Sequence, residues 1–175
     1  MGLAAIDKNS TNSDKLLGRG ATDHLPSKTL PRSGTPEKRV VIVTCMDTRI
    51  NPYRIFNLRE GEVHILRNAG GILTDDVIRS LLISQKLLNT NEILVVQHTK
   101  CGMVTFNDEE LAKEIEAETT IRPSFEFGSF TDVYENVADS IVRLRKEKFL
   151  WRTTSVRGFV YDVDSDKLKE VEVTD

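Results

Sequence analysis

Apolar residues along this chain follow two rhythms. Val40-Val41-Ile42-Val43-Thr44 and Ile93-Leu94-Val95-Val96-Gln97 are unbroken, β-branched-rich runs without polar alternation, the pattern of strands covered on both faces of a parallel sheet. The stretch between them changes period. Thr74 can cap a helix whose Val77, Ile78, Leu81, Leu82, Gln85 and Leu88 fall mostly three or four apart, and Asn89 closes it. Further elements follow from local signals. Asn51-Pro52 opens a short helix over residues 52–60, stopped by Gly61, and Val63 to Leu66 is a second strand. Asn107 with Glu110 makes a capping box for an acidic helix over 108–118. Ser129 or Thr131 starts a long helix to about Phe149, with Val133, Val137, Ile141 and Leu144 as its buried stripe. Val156 to Tyr161 is a fourth strand, Asp164-Ser165-Asp166 turns the chain, and Lys167 to Val173 alternates like a strand exposed on one face.

Strands separated by helices predict an α/β fold: a central, mainly parallel four-stranded sheet flanked by helices, with a C-terminal edge strand. Residues 1–39 break both rhythms. They are polar, hold Pro31 and Pro36, and show only a short Asp14-Lys15-Leu16-Leu17 patch, so they read as an N-terminal arm preceding a domain over 40–175. The arm has too few apolar residues to fold alone and is expected to be ordered by packing on something else.

Composition narrows the function classes. A chain of 175 residues fits one domain, and 39% hydrophobic with 29% charged residues is ordinary globular composition. Lys and Arg number 24 against 27 Asp and Glu, a net charge of −3 that supplies no field for gripping a nucleic-acid backbone. No apolar run approaches the ~20 residues of a bilayer-spanning helix, so a membrane protein is not expected. Two cysteines and no charged-then-apolar leader point to a reducing, cytoplasmic setting. The opening Met1-Gly2 suggests myristoylation, but Ile6 stands where that motif wants Ser or Thr. Asp7, Asp14 and Asp23 argue against a transit peptide.

Ligand sites of open α/β sheets lie beyond the carboxyl ends of the strands. Cys45 closes the first strand, with Asp47 and Arg49 at alternate positions beyond it, and His98-Thr99-Lys100-Cys101-Gly102 closes the third. If those strands are neighbours, Cys45, Asp47, Arg49, His98 and Cys101 converge. Two thiolates and an imidazole suit zinc, and three protein ligands leave one tetrahedral position open, as in catalytic sites. Either cysteine alone would read as a small buried hydrophobe; it is the joint placement that speaks for a metal. Competing motifs fail on spacing. Cys45 to Arg49 is shorter than a thiol-phosphatase loop, and C-x-x-C, G-x-G-x-x-G and P-loop patterns are absent from the sequence. A Cys/His nucleophilic hydrolase would leave one cysteine unexplained.

Three segments, Val43-Thr44-Cys45-Met46-Asp47-Thr48-Arg49, Arg67-Asn68-Ala69-Gly70-Gly71 and Val96-Gln97-His98-Thr99-Lys100-Cys101-Gly102-Met103, resemble in order and spacing the signature segments of the β-class carbonic anhydrases. The resemblance runs from about Asp14 to near Val173. It is closest to the short, prokaryotic-like branch, which also includes carbonyl sulfide and carbon disulfide hydrolases. It implies Zn2+ on Cys45, His98 and Cys101 and a catalytic Asp47/Arg49 dyad. It further implies a closed form in which Asp47 itself takes the fourth zinc position, and a homodimer or homotetramer using the arm. Lys100 departs from relatives that often carry an acidic or small residue there; its cation either perturbs the local field or reaches a partner.

The expected reaction is reversible hydration of carbon dioxide to bicarbonate by a zinc-bound hydroxide. Gly102, Asn68, Ala69 and Gly70 would hold the backbone close to the small substrate. Two thiolates cancel the charge of the metal, so an alkaline activity profile is expected. Hydrolysis of carbonyl sulfide or carbon disulfide at the same site is the alternative, and a redox-sensing or zinc-storing protein without turnover is a third class. His64 reads as a packed, hydrogen-bonded strand residue, and His24 as an exposed or interface residue of the arm. The Lys/Arg group at 143–148 reads as a solvated helix face, and Tyr53, Phe56 and Trp151 as packing residues.

Overall fold

A computed structural model describes residues 33–173. A five-stranded sheet runs β2-β1-β3-β4-β5, built from β1 (Val40–Cys45), β2 (Val63–Asn68), β3 (Glu92–His98), β4 (Ser155–Asp162) and β5 (Lys167–Val171). The first four strands are mutually parallel and the last strand lies at the edge, as expected; the structure adds that β5 pairs antiparallel with β4. The strands are joined by α1 (Pro52–Ile55), α2 (Asp75–Leu88), α3 (Asp108–Thr119) and α4 (Val133–Lys146).

The unbroken runs are central strands because both of their faces are covered. On one face Val41, Val43, Ile93 and Val95 pack with Val77 and Leu81 of α2 and with Val137, Ile141 and Leu144 of α4. On the other, Ile42, Val63, Val96 and Phe159 make a smaller cluster with Phe56 and Leu58. Phe56 meets Phe159 edge to face at 6.2 Å between ring centroids.

Several boundaries move, each for a local reason. The helix at Asn51-Pro52 stops at Ile55 rather than residue 60, because Phe56 leaves helical geometry and Asn57 turns left-handed at φ 50°. α4 begins after Asp132, not after Ser129 or Thr131: the Asp132 carboxylate is placed to accept both the Tyr134 and Glu135 N–H groups. It ends at Lys146, and residues 148–150 form a separate 3₁₀ turn. α2 keeps its predicted caps, with Thr74 Oγ1 accepting from Val77 N and Asn89 left-handed at its end.

Trp151 is a correction: it is 68% exposed rather than packed, since its neighbour Leu150 takes the buried position of that turn. Tyr53 is also on the surface, whereas Phe56 packs. His64 is half-buried and hydrogen-bonded as expected, Nδ1 at 2.7 Å from Ser84 Oγ and Nε2 at 2.8 Å from the Gly34 carbonyl. Residues 1–32 of the arm, including His24 and the Asp14–Leu17 patch, lie outside the described residues. The following stretch runs beside the start of β2, where Glu37 and Lys38 donate backbone N–H groups to the Gly61 and Glu62 carbonyls. No helix among the described residues is long and apolar enough to cross a membrane.

Candidate metal centre

β1 and β3 are adjacent and parallel, with Thr44 opposite Val96, so their carboxyl ends open side by side. Cys45 is the last residue of β1 and His98 the last of β3, and a two-residue turn returns the chain to Cys101. The donor atoms of these three residues all lie within 4.8 Å of one another, and the two sulfurs are 4.0 Å apart. All three residues are buried, His98 completely. His98 Nδ1 sits 2.9 Å from the Thr99 carbonyl, which only accepts, so Nδ1 carries the proton. Nε2 is left with its lone pair, buried and without a hydrogen-bond partner. A buried orphan nitrogen facing two thiols is costly unless something completes it. The donor set of one neutral imidazole and two sulfurs fits zinc.

The electrostatics of the metal-free protein agree. A hydrogen bond from Cys101, together with the adjacent His98 ring and the backbone N–H groups of Asp47 and Gly70, outweighs burial and pulls Cys45 down to about 4. Cys101 moves the opposite way, because its proton is held by Cys45 and a second buried anion would face the first. Burial disfavours the His98 cation, but the neighbouring Cys45 sulfur and the Thr99 carbonyl favour it and raise its pKa on balance. Deprotonating one sulfur thus disfavours deprotonating the other, a repulsion that a divalent cation between them would relieve.

Asp47 and Arg49 stand where the sequence places them, just beyond β1. Arg49 donates from Nε to Asp47 Oδ1 at 2.9 Å and from Nη2 to Oδ2 at 2.7 Å, and its backbone N–H also reaches Oδ1. The guanidinium hydrogen bonds hold the Asp47 carboxyl well below the usual carboxylate range. Asp47 Oδ2 lies 3.8 Å from His98 Nε2, at the rim of the three-donor cluster. The fork is itself anchored: Arg49 Nη2 also donates to the Lys100 carbonyl at 3.0 Å, and Ile50, fully buried, pins the next residue.

The Arg67–Gly71 segment closes the site from β2. Arg67 donates to the Cys45 carbonyl at 3.0 Å and the Asp47 carbonyl at 2.7 Å, fixing the backbone that carries both side chains. The Asn68 carboxamide is engaged twice with Ile72, donating to its carbonyl and accepting its N–H, so it shapes the loop. Gly71 takes φ +64° where a Cβ would lie 2.8 Å from the Cys45 nitrogen, a close approach that only glycine permits. Ala69 packs on the buried cluster of Cys45, Cys101 and Met103, together with Phe106 and Phe130. Gly102 is exposed and has open space on its Cβ side.

Sequence reasoning missed the apolar wall of Met103, Phe106 and Phe130 and the brace by Arg67. Phe130 reaches the site only because Asp108 accepts the Phe127, Gly128 and Ser129 N–H groups at 2.8 Å and Phe130 N bonds the Met103 carbonyl. No periodicity reports such a loop closure. Arg67 is visible as a cation inside a Gly-rich segment, but its two carbonyl partners belong to β1 and the loop just after it.

A family profile described as carbonic anhydrase matches residues 40–127, the stretch holding Cys45, Asp47, Arg49, the Arg67–Gly71 segment, His98 and Cys101. The chain is 49% identical to Beta-carbonic anhydrase 1 of Mycobacterium tuberculosis over 136 residues, 78% of this chain and 83% of that protein. It is 31% identical to the carbon disulfide hydrolase of Saccharolobus solfataricus, with 77% and 78% of the two chains covered. Among solved structures, the carbonic anhydrase of Streptococcus mutans superposes with a TM-score of 0.85 at 37% identity, covering 93% of this chain and 99% of that one. With sequence, fold and strand-end geometry in agreement, this chain belongs to the β-carbonic anhydrase family.

Proposed function

We propose that the protein reversibly hydrates carbon dioxide to bicarbonate with Zn2+ held by Cys45, His98 and Cys101. The observation that carries this reading is the orphaned, buried His98 Nε2 facing two sulfurs beside an aspartate gripped by an arginine. When bound, zinc would act as a Lewis acid that makes water a nucleophile, at a more alkaline pH than with all-imidazole ligands because two thiolates offset its charge. The residues of the chain do the rest. Thr99 holds the His98 tautomer through Nδ1–H. Asp47, kept ionised by Arg49, accepts a hydrogen bond from the attacking oxygen and so aims its lone pair at the substrate carbon. A carboxylate held so far below neutrality is a poor base, so the product proton leaves through another group or buffer. Gly102, Ala69 and Gly70 bring backbone close to a small linear substrate, and Asn68 keeps that loop in shape. Arg67 maintains the spacing of the Cys45 and Asp47 backbones.

The Met103, Phe106 and Phe130 wall favours a second reading, hydrolysis of carbonyl sulfide or carbon disulfide, because an apolar flank suits a sulfur-bearing heterocumulene. The greater identity to an enzyme named as a carbonic anhydrase supports carbon dioxide. Side-by-side turnover of carbon dioxide, carbonyl sulfide and carbon disulfide by zinc-loaded protein, with metal content measured on never-chelated material, tests the assignment. Zinc-replete protein inactive on carbon dioxide would overturn it.

Both cysteines must be reduced to bind metal, which supports a cytoplasmic setting. The polar arm over residues 1–39 would be the dimerisation element ahead of the 40–175 catalytic domain, giving a homodimer or homotetramer. A zinc-storing or redox-sensing role gives the Asp47/Arg49 fork nothing to do.

A further inference from the structure

Lys100 is left without a part in the reaction above, yet its surroundings are specific. It is a non-glycine residue in the left-handed region, at φ 54°, a conformation that L side chains rarely adopt. In that conformation its carbonyl accepts from Arg49 Nη2 at 3.0 Å, the same nitrogen that grips Asp47 Oδ2. Its ammonium reaches the other way, to Asp164 Oδ2 at 2.6 Å in the β4–β5 turn. That turn is tied down independently. Asp162 Oδ1 accepts the Asp164 and Ser165 N–H groups, and Arg54 donates to Tyr161 Oη and Asp166 Oδ1. Thr99, next to Lys100, donates its N–H to the Tyr161 carbonyl and accepts the Val163 N–H on its hydroxyl.

We propose that Lys100 and Asp164 are positioning residues: their ion pair anchors the strained Lys100 backbone to the β4–β5 turn and thereby holds the carbonyl that keeps Arg49 forked on Asp47. The proposal rests on the activity assigned above and extends it to residues that touch neither substrate nor metal. Since Asp47 Oδ2 is only 3.8 Å from His98 Nε2, a loosened Arg49 frees the carboxylate to turn into the three-donor cluster. The pair is exposed, 64% on both sides, so it contributes little to global stability but a good deal to the direction of one carbonyl.

The test is a double-mutant cycle of Lys100→Gln, Asp164→Asn and the combined variant, with Asp164→Glu as the conservative rescue. Each is made as the full zinc-loaded chain. We expect each single variant to lose about threefold to tenfold in kcat, less than a direct ligand partner would cost, with KM and melting temperature near those of the parent. The combined variant should be no worse than either single one, and Asp164→Glu should recover most of the loss. Parent turnover should fall with added salt toward that of the variants, because an exposed ion pair is screened. A second readout needs no turnover: the Arg49 Nε–H resonance of 15N-arginine-labelled protein should lose exchange protection in both single variants, with or without zinc. Singles that match the parent in kcat and in Arg49 protection, or losses that add in the combined variant, would overturn the proposal. If the parent fails on all three substrates the assigned activity falls, while the Arg49 resonance still decides the tether.

Discussion

Arg49 and Asp47, two residues apart, form a two-pronged contact in which Nε meets Oδ1 at 2.9 Å and Nη2 meets Oδ2 at 2.7 Å. Such a fork fixes the plane of the carboxylate as well as its charge. Zinc-replete Arg49→Ala should therefore lose about a hundredfold in stopped-flow carbon dioxide hydration, the upper range for disrupting a partner of the reacting groups. Arg49→Lys, which keeps the charge but not the fork, should fall between. Unchanged turnover in the alanine variant would remove Asp47 and Arg49 from the mechanism.

The thiol pair gives a prediction for the metal-free protein. Cys45 is lowered to about 4 chiefly by the hydrogen bond from Cys101, so its thiolate absorbance should persist on acidification from neutral pH down to that value. Replacing the donor, Cys101→Ala, should return the titration toward the ordinary cysteine value of about 8.5. An ultraviolet titration of the chelated protein that finds no thiolate at neutral pH would contradict the hydrogen-bonded pair.

Gly71 and Gly102 flank the same site but should differ in their response to alanine. A Cβ at Gly71 would lie 2.8 Å from the backbone of Cys45 and of Thr44, which cannot yield, at a φ of +64°. Gly71→Ala is expected to cost on the order of 2–4 kcal/mol in urea denaturation and to weaken zinc retention. Gly102→Ala, with open space around its Cβ, should stay within about 0.5 kcal/mol of the parent.

Asp108 links stability to pH. Its carboxyl is held below the usual range by Ser129 first, and by the Gly128 and Phe127 N–H groups. A depressed native pKa means that its contribution is complete above the unfolded value of about 4 and is lost as pH falls through the native one. Asp108→Ala should lower stability by on the order of 1–2 kcal/mol at neutral pH. The gap to the parent should shrink at about pH 3 in paired denaturation curves. A gap that is constant or grows on acidification would refute the linkage.

Much of the fold was legible because burial leaves a local imprint. β1 and β3 announce themselves as runs without polar alternation, since both faces are covered. α2 announces both ends, because Thr74 and Asn89 satisfy its terminal groups locally. Ser129, Thr131 and Asp132 are all capping residue types, and which of them starts α4 is set by which side chain meets two free N–H groups. Trp151 is exposed for another reason: apolar character in a turn does not say which residue of the turn faces in, and here Leu150 does.

The chain alone determined the candidate donor set, because donor atoms are residue types: Cys45, His98 and Cys101, with Asp47 and Arg49 at alternate positions past a strand. Tertiary structure decided what those atoms meet. Strand order brought β1 beside β3 and set the sulfurs 4.0 Å apart. Loop closure carried Phe130 to the apolar wall, and the β4–β5 turn gave Lys100 its partner 64 residues further on. Donor identity is a property of each side chain, whereas distance between remote residues arises only when the whole sheet assembles.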